Sequence, residues 1–142
     1  MSKHFAKARW EGNLTKGNGK YTLKTSGHEG SYNFSTRFED DKNSSSPEEL
    51  IGAAHASCFS MAFAHDLDQA GFKPVSIQTE AEVSLAKTSG GFSITEILLK
   101  TKGKVDGIEK EKFLEIANKS KENCPVSKAL KAVSIKLEAE LA

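Results

Sequence analysis

The stretch Ser46-Pro47-Glu48-Glu49-Leu50-Ile51-Gly52-Ala53-Ala54-His55-Ala56-Ser57-Cys58-Phe59-Ser60-Met61-Ala62 decides the fold. It opens on a capping box: Ser46 can accept from the first amides of a helix, Pro47 suits the first helical position, and Glu49 can reach back to the cap. The spacing predicts a helix from Pro47 to about Ala70, with Gly71 as its stop. Its centre, Ala53 to Ala64, is small or apolar on nearly every face. A helix that is apolar all round has to be buried all round. One antiparallel sheet covers only one side, so a second surface has to cover the other.

Downstream, Val75, Ile77, Thr79, Ala81, Val83 and Leu85 alternate with polar residues, which is the signal of a half-buried strand. Ser89-Gly90-Gly91 turns the chain. The returning strand carries Phe92 and Ile94 in one phase and Ile97, Leu99 and Thr101 in the other, and the slip around Thr95-Glu96 predicts a β-bulge. Asp106 is placed to cap a second helix over 108–121, with Phe113, Ile116 and Ala117 as its apolar stripe. Asn123-Cys124-Pro125 ends that helix and opens a short one over 125–131. Val133, Ile135, Leu137, Ala139 and Leu141 then alternate as a last strand. Upstream, Ala6, Ala8 and Trp10, the turn Lys16-Gly17-Asn18-Gly19, and Tyr21 and Leu23 read as a hairpin. Residues 32–38 read as a short strand or extended segment, followed by a polar loop, Lys42 to Ser46. The class is α+β: antiparallel sheets, each with one polar face, packed on two main helices, in a single domain spanning 1–142.

Composition narrows the function. The 142 residues carry 20 Lys and Arg against 19 Asp and Glu, a net charge of +1. That lacks the basic excess of a nucleic-acid-binding domain. The most apolar stretch, Leu50 to Ala64, is shorter than the ~20 residues of a membrane span, and the charged N-terminus does not read as a signal peptide. The expectation is a cytoplasmic protein with neither a nucleic-acid nor a membrane partner. Its two cysteines, Cys58 and Cys124, are too few for a disulfide scaffold. They also lack the CxxC or HExxH spacing of a zinc site. In a reducing compartment such a pair leans toward catalysis or sensing.

By position alone Cys58, in mid-helix, packs as a small hydrophobe unless the fold brings it a cation. Cys124, at a helix start, is the more activated thiol, because unpaired amides stabilise a thiolate there. Arg9 and Arg37 are the two arginines. Arg37, flanked by aromatic residues, is either a solvated surface residue or the group that holds a thiolate and a carboxylate together. His55 shares a helix face with Cys58, so a metal site with Cys124 or a cysteine–histidine acyl-transfer pair can be written down. The first lacks a paired-ligand motif and the second an oxyanion hole.

The opening stretch resembles the signature of the OsmC/Ohr family of thiol peroxidases, and Asn123-Cys124-Pro125-Val126-Ser127-Lys128-Ala129-Leu130 is similar to its second-cysteine motif. The likeness covers essentially the whole chain, including Trp10-Glu11-Gly12 and Asn33 to Glu39, and is closest to the osmotically inducible branch. It implies an intertwined homodimer and a peroxidase for organic hydroperoxides that uses no cofactor. It implies Cys58 as the peroxidatic cysteine and Cys124 as the resolving one. Arg37 would hold the thiolate, Glu48 would pair with that arginine, and an external dithiol, of lipoyl type, would be the reductant. This reverses the order of the two thiols read from position. A non-catalytic redox sensor or stress-binding protein with the same two thiols is the rival.

Ten helical residues separate Glu48 from Cys58 by ~15 Å along the axis, whereas an arginine bridging the two needs hydrogen bonds of about 3 Å to each. In a regular helix, Glu48 therefore has to serve the cysteine of a partner chain. Two equivalent sites, each built from both chains, are expected.

Overall fold

Alternation in the first residues becomes strand β1, Ala6–Glu11, which pairs antiparallel with β2, Asn18–Leu23, and that in turn with β3, His28–Asn33. The hairpin read from the sequence is present. Its turn is closed by Asn13, whose side-chain oxygen accepts the Lys16 amide at 2.9 Å. The computed structural model describes every residue, Met1–Ala142, in two units, Met1–Leu50 and Ile51–Ala142.

In the first unit one expectation needs correction. The extended run stops at Asn33, and Phe34–Phe38 form a helical turn, α1, which carries Arg37. Asn33 and Thr36 make the reciprocal capping box: Oδ1 of Asn33 accepts the Thr36 amide at 2.9 Å, and Thr36 Oγ1 accepts the Asn33 amide at 3.2 Å. The aromatic spacing masked this cap. The serine-rich loop that follows is tied down. Thr36 Oγ1 donates to the Ser45 carbonyl at 2.9 Å, the Ser45 amide to the Ser31 carbonyl at 2.9 Å, and Ser35 Oγ to Asp41 at 2.9 Å. The Asn43 amide and the Ser35 hydroxyl hold the Asp41 carboxyl below its ordinary value. These bonds fix the path of the chain between Arg37 and Glu48.

Helix α2, Pro47–Gln69, begins and ends within a residue of the expected bounds. The Glu49 amide donates to Ser46 Oγ at 3.0 Å, and Gly71 takes the left-handed conformation, φ +88°, that stops a helix. No helix is long and apolar enough to cross a membrane.

In the second unit β4, Pro74–Thr88, and β5, Gly91–Val105, form the long hairpin. Ser84 faces Glu96 while Leu85 faces Ile94, so Thr95 is the extra residue of the expected bulge. Helix α3, Lys110–Asn123, starts later than expected. Asp106 precedes a turn through Gly107, at φ +72°, and Glu109 occupies the N-cap without a side-chain bond. A short helix α4, Pro125–Ala129, leads to β6, Ser134–Leu141.

The all-antiparallel expectation fails here: β6 runs parallel to β5. Helices α3 and α4 form the crossover that a parallel pair requires, and strand periodicity carries no direction. The class remains α+β with two main helices. The core joins Phe59, Phe63 and Leu67 of α2 to Ile97 and Leu99 of β5 and to Phe113, Ile116 and Ala117 of α3. Phe113 meets Phe63 edge-on at 5.0 Å and covers Gly103, where a Cβ would stand 2.6 Å from its ring. His55, Phe59, Phe63 and Leu67 make one buried stripe at four-residue spacing. The opposite face of α2, with Ala53, Ala54, Ser57 and Met61, is exposed, Met61 to 75%. One side of the apolar helix is thus covered within the chain and the other is open.

Candidate active site

Cys58 and His55 stand three residues apart on α2, and Cys124 and Ser127 three apart at the start of α4, so each pair projects from one face of its helix. The two faces meet. His55 Nε2 and Ser127 Oγ hydrogen-bond at 2.8 Å, and the Cys58 and Cys124 thiols are neighbours, close enough for each to act on the other's charge. Both are free thiols. Cys58 is half-buried, whereas Cys124 is fully buried in the core.

Cys124 holds the N-cap position expected of it, with Pro125 as the first helical residue, but its thiol does not cap the helix. The Val126 amide lies toward the Cys58 sulfur instead and favours its charged form. Burial, then the neighbouring Cys124 thiol, pushes the Cys58 thiol above its ordinary value, and the Val126 amide opposes them more weakly. Within one chain, Cys58 therefore rests as a thiol. Cys124 is completely buried, a tertiary property that a sequence motif does not report.

His55 is fully buried, and burial pushes its pKa below the ordinary 6.5, so the imidazole is neutral. Its Nε2 is committed to Ser127, and its Nδ1 has no hydrogen-bond partner within the chain. No group of three or more His, Cys, Asp or Glu side chains gathers to hold a metal.

In the first unit, Arg37 and Glu48 form an ion pair. Nε of Arg37 donates to Oε1 of Glu48 at 3.0 Å, and Nη2 lies 2.9 Å from the same oxygen. Glu48 sits in the first turn of α2, where a helix favours negative charge. Its side chain is 9% exposed and that of Arg37 is 38% exposed. Oε2 of Glu48 is buried without a hydrogen-bond partner in the chain. The guanidinium carbon lies 5.2 Å from the centroid of the Phe38 ring. Beside it, Trp10, Leu14, Tyr32, Phe34, Phe38 and Pro47 line a cavity of about 240 Å³. This apolar pocket with one cation at its wall was not legible in the sequence, although Trp10 and the run through Phe38 supply most of it.

Of the four residues singled out, Cys58 meets Cys124 and Arg37 meets Glu48. The residues that sequence reasoning missed are Ser127 and Val126. Ser127 had no signal of its own, and Val126 acts through a backbone amide, which no side-chain motif records.

Comparison with known proteins gives consistent likenesses. The family model described as OsmC-like protein matches residues 39–138. The chain is 49% identical to peroxiredoxin OsmC of Escherichia coli over 126 residues, 88% of this chain and 87% of that protein. It is 33% identical to the organic hydroperoxide resistance protein OhrB of Bacillus subtilis over 104 residues, 70% of this chain and 73% of that one. The crystal structure of that OhrB superposes with a TM-score of 0.70 at 25% identity, covering 97% of this chain and 98% of the other. An OsmC-like protein from Vibrio cholerae superposes with a TM-score of 0.77 at 18% identity, covering 98% and 99%.

Proposed function

Because the chain belongs to the OsmC/Ohr family, on its OsmC branch, we propose that it is a cysteine-based peroxidase that reduces organic hydroperoxides at Cys58. The observation that carries this reading is the contact between two free thiols of unequal exposure, Cys58 half-buried and Cys124 fully buried. A peroxide can reach the first. The second can be met only by the first.

The cycle follows from that inequality. The Cys58 thiolate attacks the distal peroxide oxygen; a sulfur–oxygen bond forms, the oxygen–oxygen bond breaks, and the alkoxide leaves as an alcohol on taking a proton. The sulfur of Cys124 then attacks that of the Cys58 sulfenic acid. A disulfide forms, the sulfur–oxygen bond breaks, and the oxygen departs as water with the thiol proton. An external dithiol of lipoyl type supplies two electrons to restore both thiols and is itself oxidised to a disulfide. Two thiols suffice for these steps, so no cofactor takes part.

The first step needs a thiolate, and the single chain raises the Cys58 pKa. Arg37 is the cation we assign to it, held by Glu48. Over a regular helix, ten residues amount to ~15 Å along the axis, which is too long for one arginine to span. We therefore assign the Arg37–Glu48 pair of one protomer to Cys58 of its partner in a homodimer. The open face of α2 supports this, since a second chain would cover Ala53, Ala54, Ser57 and Met61. The aromatic cavity beside Arg37 would then seat the alkyl group of the hydroperoxide, favouring bulky apolar peroxides over hydrogen peroxide.

A steady-state assay with cumene hydroperoxide and a dithiol tests the reading. Repeated turnover that is lost in Cys58→Ser supports it. A single oxidation event per chain without turnover would instead mark a redox sensor.

A further inference from the structure

We propose that His55 and Ser127 form a clasp that positions Cys124 for attack on the oxidised Cys58, which makes both of them positioning residues for the disulfide-forming step. The proposal rests on the peroxidase cycle set out above and adds to it the device that makes resolution fast.

Helix α4 has five residues, far below the length at which a helix holds itself together, and its N-cap has no side-chain hydrogen bond. It is fixed by what it touches. Three contacts tie its first turn to α2: the Cys124 thiol to the Cys58 thiol, the Val126 amide to the Cys58 sulfur, and Ser127 Oγ to His55 Nε2. The first two end on the very sulfur that the peroxide oxidises. When Cys58 becomes a sulfenic acid, its thiol proton is gone, its sulfur carries oxygen, and both contacts are remade. The His55–Ser127 bond involves neither sulfur and persists through the step.

The register supports the same role. His55 faces Ser127 while Cys58, three residues on, faces Cys124, three residues back, so the clasp is the neighbouring rung to the reacting pair. Both clasp residues are buried, His55 fully and Ser127 to within 4%. His55 leaves Nδ1 without a partner. A polar ring there has no packing advantage over an apolar one, because the unpaired nitrogen loses its solvation. Its bond to Ser127 is what the imidazole contributes. Misplacement of a reacting group by about 1 Å can slow a step by about a hundredfold, so a loosened α4 should be felt in resolution first.

The test uses the full chain as wild type, Ser127→Ala, Ser127→Thr, His55→Phe and the Ser127→Ala/His55→Phe pair. Each is treated with one equivalent of cumene hydroperoxide and quenched at intervals. Loss of the Cys58 thiol, the dimedone-trapped sulfenic acid and the Cys58–Cys124 disulfide are measured separately. The clasp predicts that Ser127→Ala slows disulfide formation about tenfold or more, with sulfenic acid accumulating, while Cys58 oxidation changes less than about threefold. Ser127→Thr, which keeps the hydroxyl, restores the rate, and the double variant is no slower than either single one. Should His55→Phe fail to fold, Ser127→Ala, one oxygen smaller, still decides. Disulfide formation in Ser127→Ala at the wild-type rate, or equal slowing of both steps, overturns the clasp and leaves the peroxidase cycle standing. Absence of the disulfide in oxidised wild type overturns the cycle and the clasp together.

Discussion

Arg37 brings Nε and Nη2 onto one oxygen of Glu48, at 3.0 and 2.9 Å. Nη1 takes no part in the pair. A guanidinium has five donors, so the ion pair orients Arg37 and still leaves donors for a sulfur. The pair is a holder for the arginine.

Arg37→Ala removes the cation assigned to Cys58. Burial and the Cys124 contact then act unopposed except by the Val126 amide, so the Cys58 pKa rises. Each unit of rise lowers the thiolate fraction at neutral pH about tenfold. Thiolate absorbance near 240 nm against pH should shift to higher pH in Arg37→Ala. Its reaction with cumene hydroperoxide should slow about tenfold or more at pH 7 and recover as pH is raised. An unchanged titration would remove Arg37 from the site.

The two cysteines should fail differently. Cys58→Ser abolishes peroxide consumption. Cys124→Ser still reduces one equivalent of peroxide per chain, because Cys58 is the less buried thiol of the two, and then stalls as a sulfenic acid that dimedone captures. Mass spectrometry after one equivalent of peroxide distinguishes the outcomes. Turnover by Cys58→Ser would assign the chemistry elsewhere.

The open face of α2 should be an interface. Met61, 75% exposed in the single chain, becomes buried in the proposed dimer, so Met61→Glu would place a charge in an apolar contact. Sedimentation should show dimer for the wild type and monomer for Met61→Glu, with activity lost in parallel. An active monomer would count against shared sites.

Burial keeps His55 neutral by pushing its pKa below 6.5. Between that lower value and 6.5 the unfolded chain binds a proton that the folded chain does not, so stability rises with pH across this window and falls as pH is lowered through it. Above 6.5 the contribution is fully present; below the folded pKa no more is lost. The limiting slope for one such group is ~1.4 kcal/mol per pH unit. Urea unfolding from pH 7 down to pH 5 should show the decline, and His55→Gln should flatten it.

How far the sequence discloses this arrangement varies from residue to residue. The bounds of α2, the stop at Gly71 and the bulge at Thr95 follow from caps, glycine and a change of phase, all of which are local. The parallel direction of β6 and the cap at Asn33 do not follow. Strand alternation has no direction, and the aromatic spacing around Arg37 imitates a strand. Cys58, Cys124, Arg37 and Glu48 stand out as residue types and by family motif, but the complete burial of Cys124 is a tertiary property. So are the Val126 amide on Cys58 and the partner that Ser127 finds 72 positions away at His55.

Complementation between two inactive chains tests the shared site most directly. Glu48→Ala and Cys58→Ser are purified separately, mixed under conditions of subunit exchange, and assayed with cumene hydroperoxide and a dithiol. If Arg37 and Glu48 of one protomer serve Cys58 of its partner, each mixed dimer holds one intact site. Random exchange, with half the dimers mixed, then restores about a quarter of the wild-type activity per chain. Mixed dimers that form and show no more activity than the separate variants would contradict it.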